Sequence, residues 1–301
     1  MDIRIEIGNW QYNSGIVGLY NILEYAKKGS VILENNSMTF DSSELENFEE
    51  KYFNYLIKVY EKTLSWYKIV SFQERVDFFK KKSVLDINDL DEINKYVKDV
   101  LKKRLSDSRY KEAYEFIQGN IDPIQEEKEL KAIALKKKEK IEDKLKDIQQ
   151  LLEKIEKIIE YFNLESAKKQ ICTREIVNLI IKNGWTEVSF LNKKTRGKDV
   201  YKDFKKYLLI SLDEYLRKYN DKYRYSCFVC ERKIKNIEYN FNFLFKTGID
   251  MNKKSSHVWN FTNDMSMCPI CKLVYACLPV GFTYIYIERD YLLTLILILM
   301  S

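Results

Sequence analysis

The sequence predicts a helix-rich α+β protein with a metal-stabilised C-terminal region. Three observations lead there. Only nine glycines and three prolines occur in 301 residues, too few for the turns of a β-sandwich or for glycine-rich nucleotide loops. Apolar residues recur at steps of three and four over most of the chain, the period of helices with one buried face. Two Cys-x-x-Cys pairs, "CFVC" at Cys227 and Cys230 and "CPIC" at Cys268 and Cys271, stand 37 residues apart. With 46% apolar residues the chain has material for one large core or two moderate ones.

Residues 2–7, "DIRIEI", alternate as a strand does. "NSGIVGLYNILEYAKKG" predicts a helix opening near Ser14 and closing at Gly29. "SVILENNSMTF" predicts a hairpin turning at Asn35 and Asn36. Ser43 and Glu46 fit a capping box ahead of a helix in which Phe48, Phe53, Leu56 and Tyr60 share a face. Together with further helices up to Gly119 and Pro123 these make an N-terminal α+β unit, residues 1–124, in which helices pack on a small sheet. No Gly or Pro interrupts Glu126–Leu164. There Ile141, Leu145, Ile148, Leu152, Ile155, Ile159 and Phe162 alternate steps of four and three, so residues 125–170 are expected to form one long coiled-coil-like helix. The two and a half heptads suit a helix packed within its own chain better than a free arm.

The third segment, residues 171–290, is basic and carries the cysteines. From Ile171 to Lys235 sixteen Lys and Arg face eight Asp and Glu; with a whole-chain charge of +6 the remainder is near −2. After Gly184, "WTEVSF" reads as a short strand and "LNKKTRGK" as a basic loop. A helix from Asp199 to about Tyr219 follows, with Val200, Phe204, Leu208, Leu212 and Tyr215 inward and Lys202, Lys205 and Lys206 outward. "KNIEYNFNFLFK" alternates like a strand, placing a sheet between the cysteine pairs. Residues 291–301, "YLLTLILILMS", form an atypical apolar tail. It is too short for the roughly 20 residues of a membrane span and prone to aggregate if uncovered.

Each Cys-x-x-Cys lets two thiolates approach one ion from a single tight turn. Two such turns complete the tetrahedral sulfur shell that zinc accepts. Cys227, Cys230, Cys268 and Cys271 are therefore the candidate ligands of a structural Zn2+ in a treble-clef-like arrangement, the second pair at a helix start. No basic stretch followed by an apolar one trails Met1, so a cytoplasmic location is expected, where paired cysteines favour metal over disulfides. Cys172 and Cys277 read as core thiols, and His257, the single histidine, as a loop residue. One histidine leaves little scope for a Ser-His or Cys-His relay, and neither a P-loop, G-x-G-x-x-G nor H-E-x-x-H occurs. Four metal-spaced cysteines are too few for the eight ligands of a RING domain. The chain is expected not to be an enzyme. Lys193, Lys194, Arg196 and Lys198, with Lys205 and Lys206 behind them, are the candidate phosphate contacts, Gly197 allowing close approach. Residue chemistry thus yields a zinc-containing nucleic-acid binder; the alternative is a zinc-stabilised interaction scaffold working through its long helix.

The opening "IRIEIGNWQYNSGIVGLYNILEY", the paired Cys-x-x-Cys and the later "ACLPVGFTY" resemble the CXXC-CXXC large subunit of type I-B CRISPR effector complexes (Cascade). The resemblance runs from Met1 to about Tyr284. It implies a non-catalytic subunit of an antiviral complex, assembled with other Cascade subunits and guide RNA. Such a subunit helps recognise the protospacer-adjacent motif on duplex DNA and supports recruitment of a helicase-nuclease in trans, with no membrane partner; base pairing reads the remaining sequence. The zinc ligands carry over onto Cys227, Cys230, Cys268 and Cys271, whereas motif-reading residues do not. Family members continue into a further helical region where this sequence turns into "IERDYLLTLILILMS", so a C-terminal truncation is expected.

Overall fold

A computed structural model describes residues 1–185, 188, 199–237, 239, 241, 243–244, 266–287 and 291–295, with the backbone alone over 283–287 and 291–295. It is a helix-rich α+β structure with small antiparallel sheets, in line with the predicted class. Two compact units divide it: residues 1–56 with 177–301, and residues 57–176. These divisions fall at other positions than the 124/125 and 170/171 boundaries read from sequence.

The first unit begins with β1 (Asp2–Glu6), α1 (Trp10–Ala26) and the hairpin β2 (Val31–Glu34) and β3 (Ser37–Asp41). The strand order is β1-β3-β2. Ile3 pairs with Phe40 and Ile5 with Met38, and all four are buried, so one face of this sheet carries core. Edge strand β2 leaves Ile32 and Leu33 exposed.

Two boundaries differ from expectation, each for a visible reason. Helix α1 opens at Asn9, whose side chain accepts from Tyr12 N at 2.9 Å. Ser14 sits inside it, its hydroxyl donating back to the carbonyl of Trp10 at 2.9 Å, which is what serine does when it is not a cap. The capping box of Ser43 and Glu46 does not form either. Asp41 accepts from Ser43 N at 2.8 Å and starts a 3-10 turn, Ser42–Leu45. Asn47 then takes a left-handed φ of 50°, which asparagine tolerates, and α2 (Phe48–Tyr60) begins after it.

The second unit runs through α3 (Ser65–Val70), α4 (Gln73–Lys81), α5 (Ile87–Tyr96), α6 (Ser108–Tyr114), α7 (Pro123–Glu129) and α8 (Leu145–Asn163) into α9 (Glu165–Leu179). The single long helix expected over 125–170 is therefore broken. Leu130 is fully buried, and Asn94 replaces helical partners at Ile133 by accepting from its N–H and donating to its carbonyl, both at 2.8 Å. Residues 136–140, Lys-Lys-Lys-Glu-Lys, carry no apolar side chain, and Lys136 and Lys140 are like charges four apart, which disfavours helix there. The seam survives over most of the helix that forms: Ile148, Leu152, Ile155, Ile159 and Phe162 are buried, whereas Leu145 at its first position is exposed, and α8 packs on α3 and α4 within the same unit. Glu175, fully buried, accepts from Ser65 N at 2.6 Å and from the Tyr110 hydroxyl.

Back in the first unit, a helix over 200–217, designated α10, includes a π-helical stretch, Lys205–Leu209. Val200, Phe204, Leu208 and Leu212 are buried as expected, and Lys202, Lys205 and Lys206 exposed. Tyr52, Phe53, Trp185 and Phe204 form an aromatic core, the Tyr52 and Phe204 rings 4.8 Å apart. The predicted sheet over 236–247 lies largely outside the described residues; Leu244 bridges to Trp185. Strands β4 (Tyr225–Ser226) and β5 (Lys233–Ile234) pair as a small hairpin. Helices α11 (Pro269–Ala276) and α12 (Leu278–Gly281) then lead into β6 (Thr283–Ile287), which pairs with β7 (Tyr291–Leu295) from the first half of the apolar tail.

Helix α1 meets α11 and α12 with their backbones in contact. A Cβ on Gly15, Gly18 or Gly281 would collide with the carbonyls of Val274, Cys277 and Ser14. Backbone cannot yield as a side-chain tip can, so overpacking here should cost at least the usual 1–3 kcal/mol, about the upper end. Thermal unfolding of Gly281→Ala should show a melting temperature lowered by several degrees, whereas Gly29→Asn, at a left-handed φ of 73° with open space around it, should leave it nearly unchanged.

Candidate metal centre

Cys227 and Cys230 sit at the tip of the β4–β5 hairpin. Cys227 N donates to Arg232 O at 2.8 Å and Glu231 N to Cys227 O at 2.9 Å, with Glu231 at a left-handed φ of 61°. This tight knuckle turns both sulfurs to one side. Cys268 caps α11: its sulfur accepts from Cys271 N at 3.4 Å, and Pro269 occupies the first turn, where its missing N–H costs nothing. The helix-start position expected for the second pair is thus realised. Backbone straps tie the turns together, Phe228 N donating to Ser266 O at 2.8 Å and Met267 N to Tyr239 O at 2.9 Å.

The result is a cluster of four sulfurs, all within 4.8 Å of one another, with Cys230 and Cys268 at 3.6 Å. A tetrahedron with metal–sulfur bonds of about 2.3 Å has edges of about 3.8 Å, so this donor set fits one ion with little movement. Cys227, Cys268 and Cys271 are buried and Cys230 partly so. A four-sulfur shell is closed and leaves no coordination position for water or substrate, which is the form of a structural site.

The surroundings suit anionic sulfur. Cys227 Sγ accepts from Cys268 N at 3.2 Å and Val229 N at 3.4 Å. Arg232 Nη1 lies 3.8 Å from Cys230 Sγ, and the Tyr12 hydroxyl 3.3 Å from Cys271 Sγ. Without metal, hydrogen bonds from Cys230, Cys268 and Cys271 hold the Cys227 thiol far below its ordinary range. Donating to Cys227 in turn pushes Cys268 and Cys271 well above theirs. Against the contact with Cys227, which raises it, hydrogen bonds from Cys268 and Cys271 lower the Cys230 thiol as well; the first pair therefore carries the anionic character and the second the protons, which an entering cation displaces. Beside it Lys272 is buried against the rings of Tyr207 and Tyr239, at 3.8 and 4.6 Å. It donates to Tyr207 O at 3.1 Å, and burial lowers it to about 8.

Of the other candidates, Lys193, Lys194, Arg196, Lys198 and His257 lie outside the described residues. Lys205 and Lys206 are exposed on α10, and Lys205 Nζ is 3.2 Å from the Glu49 carboxylate, so part of its charge is already offset. Cys172 and Cys277 are fully buried, and burial raises both thiols, as core thiols require. Sequence reading missed Tyr12 and Arg232. Arg232 stands two residues after a ligand and was within reach of inspection. Tyr12 lies 259 residues from Cys271 and no spacing rule finds it.

Among the described residues no helix is long and apolar enough to cross a membrane. No curated protein and no solved structure matches the chain. Residues 220–283, which contain all four cysteines, β4, β5, α11 and α12, match the model of the family described as CRISPR-associated protein (Cas_CXXC_CXXC). That match supports a CRISPR-associated protein carrying a CXXC-CXXC motif, and with it a part in CRISPR defence.

Proposed function

We propose that this chain is a cytoplasmic, non-catalytic, DNA-binding large subunit of a type I-B CRISPR surveillance complex, stabilised by a structural zinc ion on Cys227, Cys230, Cys268 and Cys271. The observation that carries the reading is the sulfur cluster lying inside the family match at residues 220–283. The N-terminal motif of the resemblance lies outside that match, yet its Gly15 and Gly18 abut the carbonyls of Val274 and Cys277 inside it. The two parts of the resemblance are one packed unit, which favours a subunit of this kind over a chance cysteine pattern.

In that role the subunit joins the other Cascade subunits and guide RNA, helps recognise the protospacer-adjacent motif on duplex DNA, and supports recruitment of the helicase-nuclease. The zinc supplies folding free energy and no chemistry, its shell being closed. A single histidine in the sequence and the closed shell both favour a binding role over catalysis. The basic segment 171–235 supplies the positive surface, with Lys193, Lys194, Arg196, Lys198, Lys205 and Lys206 as its phosphate contacts. The seam of α8 is spent on its own unit, which disfavours the scaffold reading through that helix.

Affinity purification from the native cell should recover repeat-derived guide RNA and Cascade subunits; a well-folded preparation carrying neither contradicts the assignment. Alanine at Lys193, Lys194, Arg196 and Lys198 should weaken duplex binding and flatten log K against log salt by about 0.9 for each phosphate no longer neutralised. An unchanged slope excludes the loop. Because Cys268 and Cys271 hold protons in the metal-free protein and none as ligands, zinc affinity rises with pH. Displacement of two protons gives about a hundredfold per pH unit, measurable by chelator competition; Cys268→Ser should abolish stoichiometric binding.

A further inference from the structure

Two of the four sulfurs are held by side chains that also reach beyond the Cys-x-x-Cys turns. Tyr12, on α1, is 3% exposed and sets its hydroxyl 3.3 Å from Cys271 Sγ. Its ring packs on Tyr275, centroids 5.2 Å apart, and the Tyr275 hydroxyl accepts from Asn9, the cap of α1, at 3.3 Å. Arg232 bridges differently. Its Nη1 faces Cys230 Sγ at 3.8 Å, while its Nη2 donates to the carbonyl of Arg4 in β1. One contact therefore leads from the cluster to α1 and the other to β1.

Charge explains why such groups matter. Four thiolates around a divalent ion leave a formal charge of −2, here on sulfurs three of which are buried. A phenol O–H and a guanidinium directed at two of those sulfurs disperse that charge, as charge-assisted donors do, and outer-sphere partners of this type fix ligand orientation. The Tyr12–Cys271 contact also depends on the ion. A metal-bound thiolate only accepts, so the phenol donates to it.

We infer that Tyr12 and Arg232 are outer-sphere positioning residues of the metal centre, and that through them the bound ion fastens α1 and β1 to the Cys-x-x-Cys turns. This rests on metal binding by the four cysteines as proposed above. The N-terminal motif and the cysteine pairs are then coupled parts of one device: losing the ion loosens the N-terminal segment, and losing Tyr12 or Arg232 loosens the ion.

The test uses the full chain loaded with zinc or cobalt(II). Tyr12→Phe keeps the ring and removes only the hydroxyl; Arg232→Gln removes the charge and Arg232→Lys restores it. Chelator competition should show metal affinity lowered about tenfold or more in Tyr12→Phe and Arg232→Gln, with partial recovery in Arg232→Lys and a shifted sulfur-to-cobalt charge-transfer band in each weakened variant. In the unaltered protein, metal removal should raise hydrogen exchange over 10–26 relative to α8, a readout that needs no variant to fold. Affinities and cobalt spectra matching the unaltered protein, or exchange over 10–26 indifferent to metal, overturn the inference while leaving the metal site standing. An unaltered protein that takes up no metal overturns both.

Discussion

Convergence of four cysteine sulfurs on one point is the constraint on which the first unit depends. The β4–β5 knuckle contributes only two short strands, and α11 and α12 are eight and four residues long. Segments of this size have little propensity to hold their own shape. A cation bound by the cluster would tie them together, and its binding free energy would become folding free energy for everything built on them. Helix α1 is part of that construction. Its glycines admit the α11 and α12 backbones, the Tyr52 hydroxyl of α2 donates to Ala276 O at 3.1 Å, and residues 10–26 cannot be repacked without disturbing the helix that starts at Cys268.

How much of this was legible in the sequence follows from the range of the interactions involved. The convergence of the four cysteines was legible because Cys-x-x-Cys is a local geometric device, and so was the helix start at the second pair. Strand β1, the β2–β3 hairpin and the inward stripe of α10 were legible because periodicity is local too. The opening of α1 was misread at Ser14 because two cap-forming residues compete there, and Asn9 prevails while Ser14 bonds to the preceding turn. The break at 130–144 was missed because Asn94, far away in sequence, supplies the bonds that a helix would have made at Ile133. Tyr12 was invisible for the same reason: its role is set by where α1 packs. The divisions at 56/57 and 176/177 fall within α2 and α9, where no glycine, proline or shift in composition marks them.

The resemblance and the physical reading bear on each other through the same contacts. The family match covers the cysteine region alone, and the N-terminal motif lies against that region through Gly15, Gly18 and Gly281. A sequence block kept in contact by backbone-to-backbone packing and by a phenol on a ligand sulfur belongs with the metal centre as one module. The stretch "NWQYNSGIVGLY" thereby acquires a physical role, in which Asn9 caps, Tyr12 addresses sulfur, and two glycines let the helices touch.

X-ray absorption at the metal edge of the purified, soluble chain tests the central claim most directly. The account requires one zinc per chain in a shell of four sulfurs at about 2.3 Å, with no oxygen or nitrogen neighbour. A spectrum fitted by oxygen or nitrogen ligands, or a folded protein carrying no stoichiometric metal, would contradict it.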